Sequence, residues 1–307
     1  MGACPEVSII LVSWNRCEDL RIALDSLDCQ TGVSKEVIVI DNGSSDGTLE
    51  MLSSRPTPPR VIRNKENRGA CIGKNQGILA AQGDCIAFMD SDACLLNPST
   101  LRDFRASLAA DASLGAIGPG IFIDRDLNHP WVSGIHLTED LYIDWTQTRS
   151  TYGECDALST CFAMMPREAA LKSGGFDPVY FYQHEDLDFF IRIREMGFRI
   201  EAREGYPVWH RISQAGRKND RMFWMHFREE WRHQYLLIKM KGVWMGLYYC
   251  IRNLFRQKSI RDYYVRHLRL RKFIVLFGML PVFMLLLSPW ISLQRGKNHL
   301  LPRKERD

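Results

Sequence analysis

The sequence predicts an α/β domain built on a mostly parallel central sheet with flanking helices, followed by a helical extension. Three observations carry this. Over the first hundred residues, short β-branched runs alternate with helical stretches, the pattern of repeated βαβ units. The runs are apolar almost throughout, as strands covered on both faces must be. Each also ends in polar residues: Ser13-Trp14-Asn15-Arg16, Asp41 to Gly47, and Asp90-Ser91-Asp92. Ligands of open α/β sheets bind at the carboxyl ends of strands, so the three clusters are expected along one rim.

The elements follow in order. VSIILV (7–12) is the first strand. Its apolar run of about eight residues has no basic leader, so a strand is expected and not a signal-peptide core. Glu6 stands where a myristoylation motif requires Ser or Thr. A helix over 18–27, the strand EVIVI (36–40), a helix from Thr48, the strand RVIR (60–63), a helix over 74–81 and the strand CIAFM (85–89) complete the alternation. Residues 97–165 are harder to read, although ALSTCFAMM (157–165) has the apolar content of a strand. After the turn signal Ser173-Gly174-Gly175 comes HEDLDFFIRIREMGF, where Leu187, Phe190, Ile191 and Ile193 give an amphipathic helix. Glu185, Asp186 and Asp188 sit in its first turn, where acids suit the helix dipole.

With 307 residues, 46% hydrophobic and 25% charged, the chain can bury a sizeable core, and disorder is excluded as its default state. Nine scattered cysteines contain no CxxC pair, which argues against a disulfide framework or a zinc site and fits a reducing cytosol. Charge divides the chain. Residues 1–210 carry 19 Lys and Arg against 30 Asp and Glu, whereas residues 211–307 carry 21 against 6. The expected organisation is an acidic globular domain over 1–212 and a basic, aromatic-rich extension over 213–307, the latter facing an anionic partner.

That extension contains FIVLFGMLPVFMLLLSPWISL (273–293), 21 residues without a charge. As a straight helix it would be roughly 31 Å long, enough to cross a bilayer core. However, Pro281 and Pro289 interrupt it and both flanks are basic, which disfavours a simple crossing. The expectation is a kinked re-entrant or interfacial segment, with a true span and a buried core or oligomer helix as the alternatives. A bilayer explains the uncharged stretch and nucleic acid does not, so no nucleic-acid partner is expected.

The acids of AFMDSDACLL (87–96) close an apolar strand. Two carboxylates one residue apart can hold a hard divalent cation, although a solvated capping loop uses the same residues. A second acidic group at His184-Glu185-Asp186 and the pair Trp209-His210 strengthen the metal reading.

Taken together, VSWNR, VIVIDNGSSDGT, NKENRGACIGKNQGI, AAQGDCIAFMDSDACL, SGGFDPVYFYQHEDLDFFIRIREMGFRI and VWH, in this order across residues 6–212, resemble the family 2 inverting glycosyltransferases of GT-A fold. The likeness is greatest to enzymes that add single sugars such as rhamnose or galactofuranose to lipid-linked or surface glycans. Many of those carry Asn-Pro-Asp where this chain has Asp90-Ser91-Asp92, and REEWRHQY does not match the QxxRW motif of processive synthases.

The resemblance implies roles for individual residues. Asp41, beside Asn42, would accept a hydrogen bond from a uracil or thymine ring packed on the Ser13, Asn15 and Arg16 turn, and it is also placed to cap the following helix. Asp90 would face the ribose or the metal, Asp92 would ligate a Mg²⁺ or Mn²⁺ ion, and His210 would complete that site. Asp186 is the implied base, with Glu185 as the alternative, and Arg68 and Lys74 are candidate phosphate contacts. By residue type alone, Trp131 and the run Tyr180-Phe181-Tyr182 are candidates for sugar stacking and equally for core packing, and Arg228, Arg232 and His233 are candidates for an acceptor phosphate.

The implied partners are a UDP- or dTDP-sugar donor, a glycan or polyprenyl-linked glycan acceptor and, through residues 213–307, the cytoplasmic face of a membrane. Rival readings are a sugar nucleotidyltransferase, a glycosidase, or a membrane- or nucleic-acid-binding protein with a degenerate nucleotide-sugar site. The turn SWNR lacks the glycine-rich basic loop of the first, and the second does not need a nucleotide-type rim.

Overall fold

The computed structural model describes residues 4–149, 151–181, 183–213, 222–256 and 280–300. Strands β1 (Val7–Ser13), β2 (Lys35–Asp41), β3 (Arg60–Arg63) and β4 (Cys85–Asp90) alternate with helices α1 (Cys17–Asp28), α2 (Thr48–Ser53) and α3 (Gly69–Ala80). All their pairings are parallel, and the register sets Ser13 beside Asp41 and Val12 beside Asp90. Thus the polar strand ends do share a rim, as the alternation predicts.

Beyond β4 the sheet becomes mixed. The further strands are β5 (Ala93–Leu95), β6 (Leu114–Phe122), β7 (Pro130–Val132), β8 (Gly153–Glu154), β9 (Phe162–Pro166) and β10 (Arg199–His210). The main order is β3-β2-β1-β4-β9-β6-β10-β5. β9 runs antiparallel to both β4 and β6, whereas β10 is parallel to β6. An apolar run buried on both faces carries no record of its direction, which is why ALSTCFAMM announces a strand without its sense. Helices α4 (Thr100–Ala110), α5 (Trp145–Thr148), α6 (Arg167–Lys172) and α7 (Glu185–Glu195) complete this part.

Two packings position the site. α3 lies against β1 through Gly73 and Gly77: a Cβ at Gly77 would collide with Ile10, and one at Gly73 would come within 2.8 Å of Val12. Gly77→Ala is expected to destabilise the fold by about 1–3 kcal/mol through overpacking, read as a lower urea midpoint. On the same side of the sheet, Phe176 and Phe189 stack with centroids 4.2 Å apart and Phe88 meets Phe176 edge-on at 5.1 Å. This aromatic cluster fixes the start of α7 over the end of β4.

The described residues fall into two compact units. The first holds the sheet, its helices and residues 298–300. The second comprises Thr138–Tyr142, α8 (Met222–Lys241), α9 (Val243–Arg256) and α10 (Leu280–Leu293). Within it, Arg252 pairs with Asp140 at 3.0 Å and Tyr142 stacks on His233 at 3.6 Å. α10 is continuous through Pro289, so the break expected there does not occur. Residues 273–279 and the basic flank 266–272 lie outside the described residues, as does Tyr182. No helix among the described residues is long and apolar enough to cross a membrane.

Candidate functional site

The β1 turn is tied to the β2 turn by Asn15, whose left-handed backbone (φ +51°) lets its side-chain oxygen accept from the Ser45 N–H at 2.8 Å. The Asn15 N–H donates to Ser44 Oγ at 2.9 Å. Asp41 is fully buried and accepts the Ser44 N–H at 3.2 Å, closing its own turn. It does not cap α2. Gly47 holds the N-cap position; Asp46 before it accepts from the Thr48 N–H at 3.3 Å and the Thr48 hydroxyl at 2.5 Å, whereas Asp41 lies too far back along the loop. Asn42 points inward, accepting from Asn64 at 2.8 Å and donating to the Gly69 carbonyl at 3.3 Å. Ser13 Oγ, by contrast, is buried with no hydrogen-bond partner.

The two acids after β4 differ in surroundings. Asp92 is buried; Arg16 donates to it at 2.7 Å, the Ser213 N–H donates at 3.0 Å, and His210 Nε2 lies 3.4 Å away. Burial alone would raise its pKa, but hydrogen bonding to His210 and the Arg16 guanidinium bring it down to about 2. The Asp90 side chain keeps 40% of its surface exposed and lies 3.9 Å from His210 Nε2. Desolvation and the neighbouring Asp92 carboxylate push its pKa upward. His210 reaches both acids because β5 pairs antiparallel with β10, setting His210 opposite Ala93.

Do these residues fit a cation? Two ligand atoms on one hard cation, each about 2.1–2.3 Å from it, stand roughly 3–4.5 Å apart. The His210–Asp92 and His210–Asp90 separations fall in that range. Cys161, which sequence reasoning did not single out, joins Asp90 and His210 with ligand atoms all within 4.8 Å. It arrives there because the Asp90 N–H donates to its carbonyl across the β4–β9 ladder. Its only signal was the polar lead Ser159-Thr160-Cys161 into an apolar run. Burial holds its thiol well above the ordinary range, so the carboxylates and imidazole form the set suited to Mg²⁺ or Mn²⁺.

Lys74 lies between the two acidic groups. Its ammonium is buried and donates to Thr160 Oγ1 at 2.6 Å and to Glu185 Oε1 at 2.9 Å. Burial would lower its pKa, but the carboxylates of Glu185 and Asp90 outweigh that and hold it above its usual value. The structure therefore commits Lys74 to an internal strut, and Glu185 with it; Arg68 is exposed just before α3. Lys74→Met is expected to cost about 3–5 kcal/mol, because Glu185 would remain buried and unpaired. The double variant Lys74→Met/Glu185→Leu should recover most of that in urea unfolding.

Asp186 is the half-buried acid of this group. Its carboxylate accepts the Leu187 N–H at 2.9 Å, and desolvation together with nearby Glu185 raises its pKa to about 7. Asp188 turns inward to Arg192 at 2.7 Å, and Arg192 in turn holds the Gly175 carbonyl at 2.7 Å. The approach to α7 is strained: Phe181, Gln183 and His184 all have φ between +62° and +64°. Such residues cost about 1–3 kcal/mol each and persist where surroundings over-determine them, typically at ligand clamps. Here the Phe181 carbonyl accepts the Ala70 N–H at 2.9 Å.

Among the stacking candidates, Trp131 lies beside His210 with centroids 5.0 Å apart, Phe181 is exposed, and Tyr180 is buried in the core. Arg232 and His233 are buried on α8, with Arg228 half-buried on the same helix.

The sequence matches Glycosyl transferase family 2 over residues 8–174. It is 46% identical over 90 residues to the uncharacterized glycosyltransferase YfnE of Bacillus subtilis (28% of this chain, 23% of that protein), and 36% identical over 99 residues to the succinoglycan biosynthesis protein ExoO of Rhizobium meliloti (32% and 28%). The aligned segments thus span about a quarter of those relatives. The fold is similar to that of the mannosyltransferase PcManGT from Pyrobaculum calidifontis in complex with GDP-Man and Mn²⁺, with a TM-score of 0.57, 16% identity, and coverage of 92% of this chain and 88% of that one. At this identity the likeness speaks for the α/β fold with its mixed sheet. The family match covers more than half of the sequence, with the acidic rim of β1, β2 and β4 inside it: this chain belongs to Glycosyl transferase family 2.

Proposed function

We propose that this chain is a metal-dependent inverting glycosyltransferase. It moves a single sugar from a UDP- or dTDP-sugar to a hydroxyl of a glycan or polyprenyl-linked glycan at the cytoplasmic face of a membrane, with residues 213–307 towards that surface. The observation that carries this reading is the split of acids on one rim. Asp90 and Asp92 converge with His210, whereas Asp186, separated from them by the Lys74–Glu185 strut, has a pKa near neutrality.

The chemistry follows from charge flow. The acceptor oxygen attacks the anomeric carbon while the bond from that carbon to the diphosphate oxygen breaks, its electron pair leaving with the nucleoside diphosphate. Asp186 takes the acceptor proton, and a base with pKa near the working pH suits that task. Asp90, Asp92 and His210 would hold a divalent cation, which when bound would neutralise charge developing on the leaving diphosphate. Asp41 accepts from the imide N–H of the base, and the unpartnered Ser13 hydroxyl next to it in the sheet offers a further polar contact. A single displacement inverts the anomeric centre.

Incubation with UDP- and dTDP-sugars, Mn²⁺ or Mg²⁺ and a lipid-linked glycan tests the proposal. Release of nucleoside diphosphate with formation of an anomerically inverted product is expected. A retained configuration, or transfer undiminished in metal-stripped protein, would overturn it.

A further inference from the structure

We propose that α10 lies flat in the headgroup region of an anionic bilayer, burying an apolar stripe without crossing. This deepens the membrane part of the preceding reading and is independent of the donor chemistry. Val282, Leu285, Leu286, Pro289, Trp290 and Leu293 recur at the i, i+3, i+4, i+7, i+8, i+11 spacing of one helix face. All six are exposed, Leu286 at 74% and Leu293 at 69%. Met284, Ser288 and Ile291 face the other way and are buried, where α10 packs on α8 and α9. Such a helix has one side committed to its own bundle and one side apolar and open.

Three observations point to a lipid surface as the occupant. First, the uncharged run that contains α10 is flanked by basic residues on both sides, which disfavours a crossing. Second, α8, the helix beneath, buries Arg232, His233 and Lys239, so immersion of the whole bundle would be costly, whereas contact along one side would not. Third, the surroundings are cationic: Arg295 and Lys297 follow the stripe, exposed Lys241 stands near Trp244, itself 81% exposed on α9, and residues 211–307 carry 21 basic against 6 acidic residues. A second copy of this chain would meet the stripe with like charge, while anionic headgroups complement it.

The test uses the full chain without donor or acceptor, so its outcome is separate from the transferase reading. Flotation with vesicles of equal parts phosphatidylcholine and phosphatidylglycerol is expected, with little on phosphatidylcholine alone. Leu286→Glu/Leu293→Glu should lower binding about tenfold or more, while Leu79→Glu, on an exposed residue of the sheet unit, should not. Lipids brominated near the headgroup should quench a fluorescence component lost in Trp290→Phe; those brominated at the bilayer centre should not. Unaltered binding of the double Glu variant, central quenching, or a dimer in sedimentation that the same variant dissociates without any vesicle binding would each overturn the proposal.

Discussion

Asp186→Asn is expected to lower turnover by about 10²–10⁴-fold while leaving donor affinity unchanged, because it removes a proton acceptor and no donor contact. Its pH dependence follows from a raised pKa. The base works ionised, so transfer should rise as pH increases through about 7 and level off above it. The stability effect has the opposite sign. The fold favours the protonated acid, so ionising Asp186 costs stability between its ordinary value of 3.8 and about 7. Above pH 7 the Asn variant should therefore be at least as stable as the parent in thermal unfolding, which would mark a group held for activity at the expense of stability. Full turnover in Asp186→Asn would remove its role.

Asp92→Asn should act on the other half of the reaction. Cation-mediated stabilisation of a leaving diphosphate is worth several kcal/mol, so the variant should lose about 100-fold or more in Mn²⁺-dependent donor binding and turnover alike. The loss should not depend on acceptor. Since Arg16 keeps a partially exposed position beside residue 92, the fold should remain intact by circular dichroism. Isothermal titration with nucleoside diphosphate, with and without Mn²⁺, separates the two effects.

Much of this was legible in the sequence, and the reasons are local. The parallel half of the sheet followed from β-branched runs ending in polar clusters, and the rim from the rule that ligands meet strand carboxyl ends. Direction was not legible: nothing in FAMM tells that β9 turns antiparallel and delivers Cys161 to Asp90. Lys74 reads as a solvated or phosphate-facing lysine at a helix start. Its pairing with Glu185, 111 residues later, depends on how α3 and α7 meet over Phe176. Conversely, Pro289 suggested a break that a helix on its own would favour, yet packing of Met284 and Ile291 carries α10 through it.

One rim is expected to hold a nucleotide sugar through a cation while a separate acid performs the proton transfer. The most direct measurement is titration of UDP-, dTDP- and GDP-sugars into the parent chain, Asp92→Asn and Asp186→Asn, each with and without Mn²⁺. The expected result is binding of a UDP- or dTDP-sugar that requires Mn²⁺, is lost in Asp92→Asn and is retained in Asp186→Asn. Binding that ignores the cation, or that fails equally in both variants, would contradict the account.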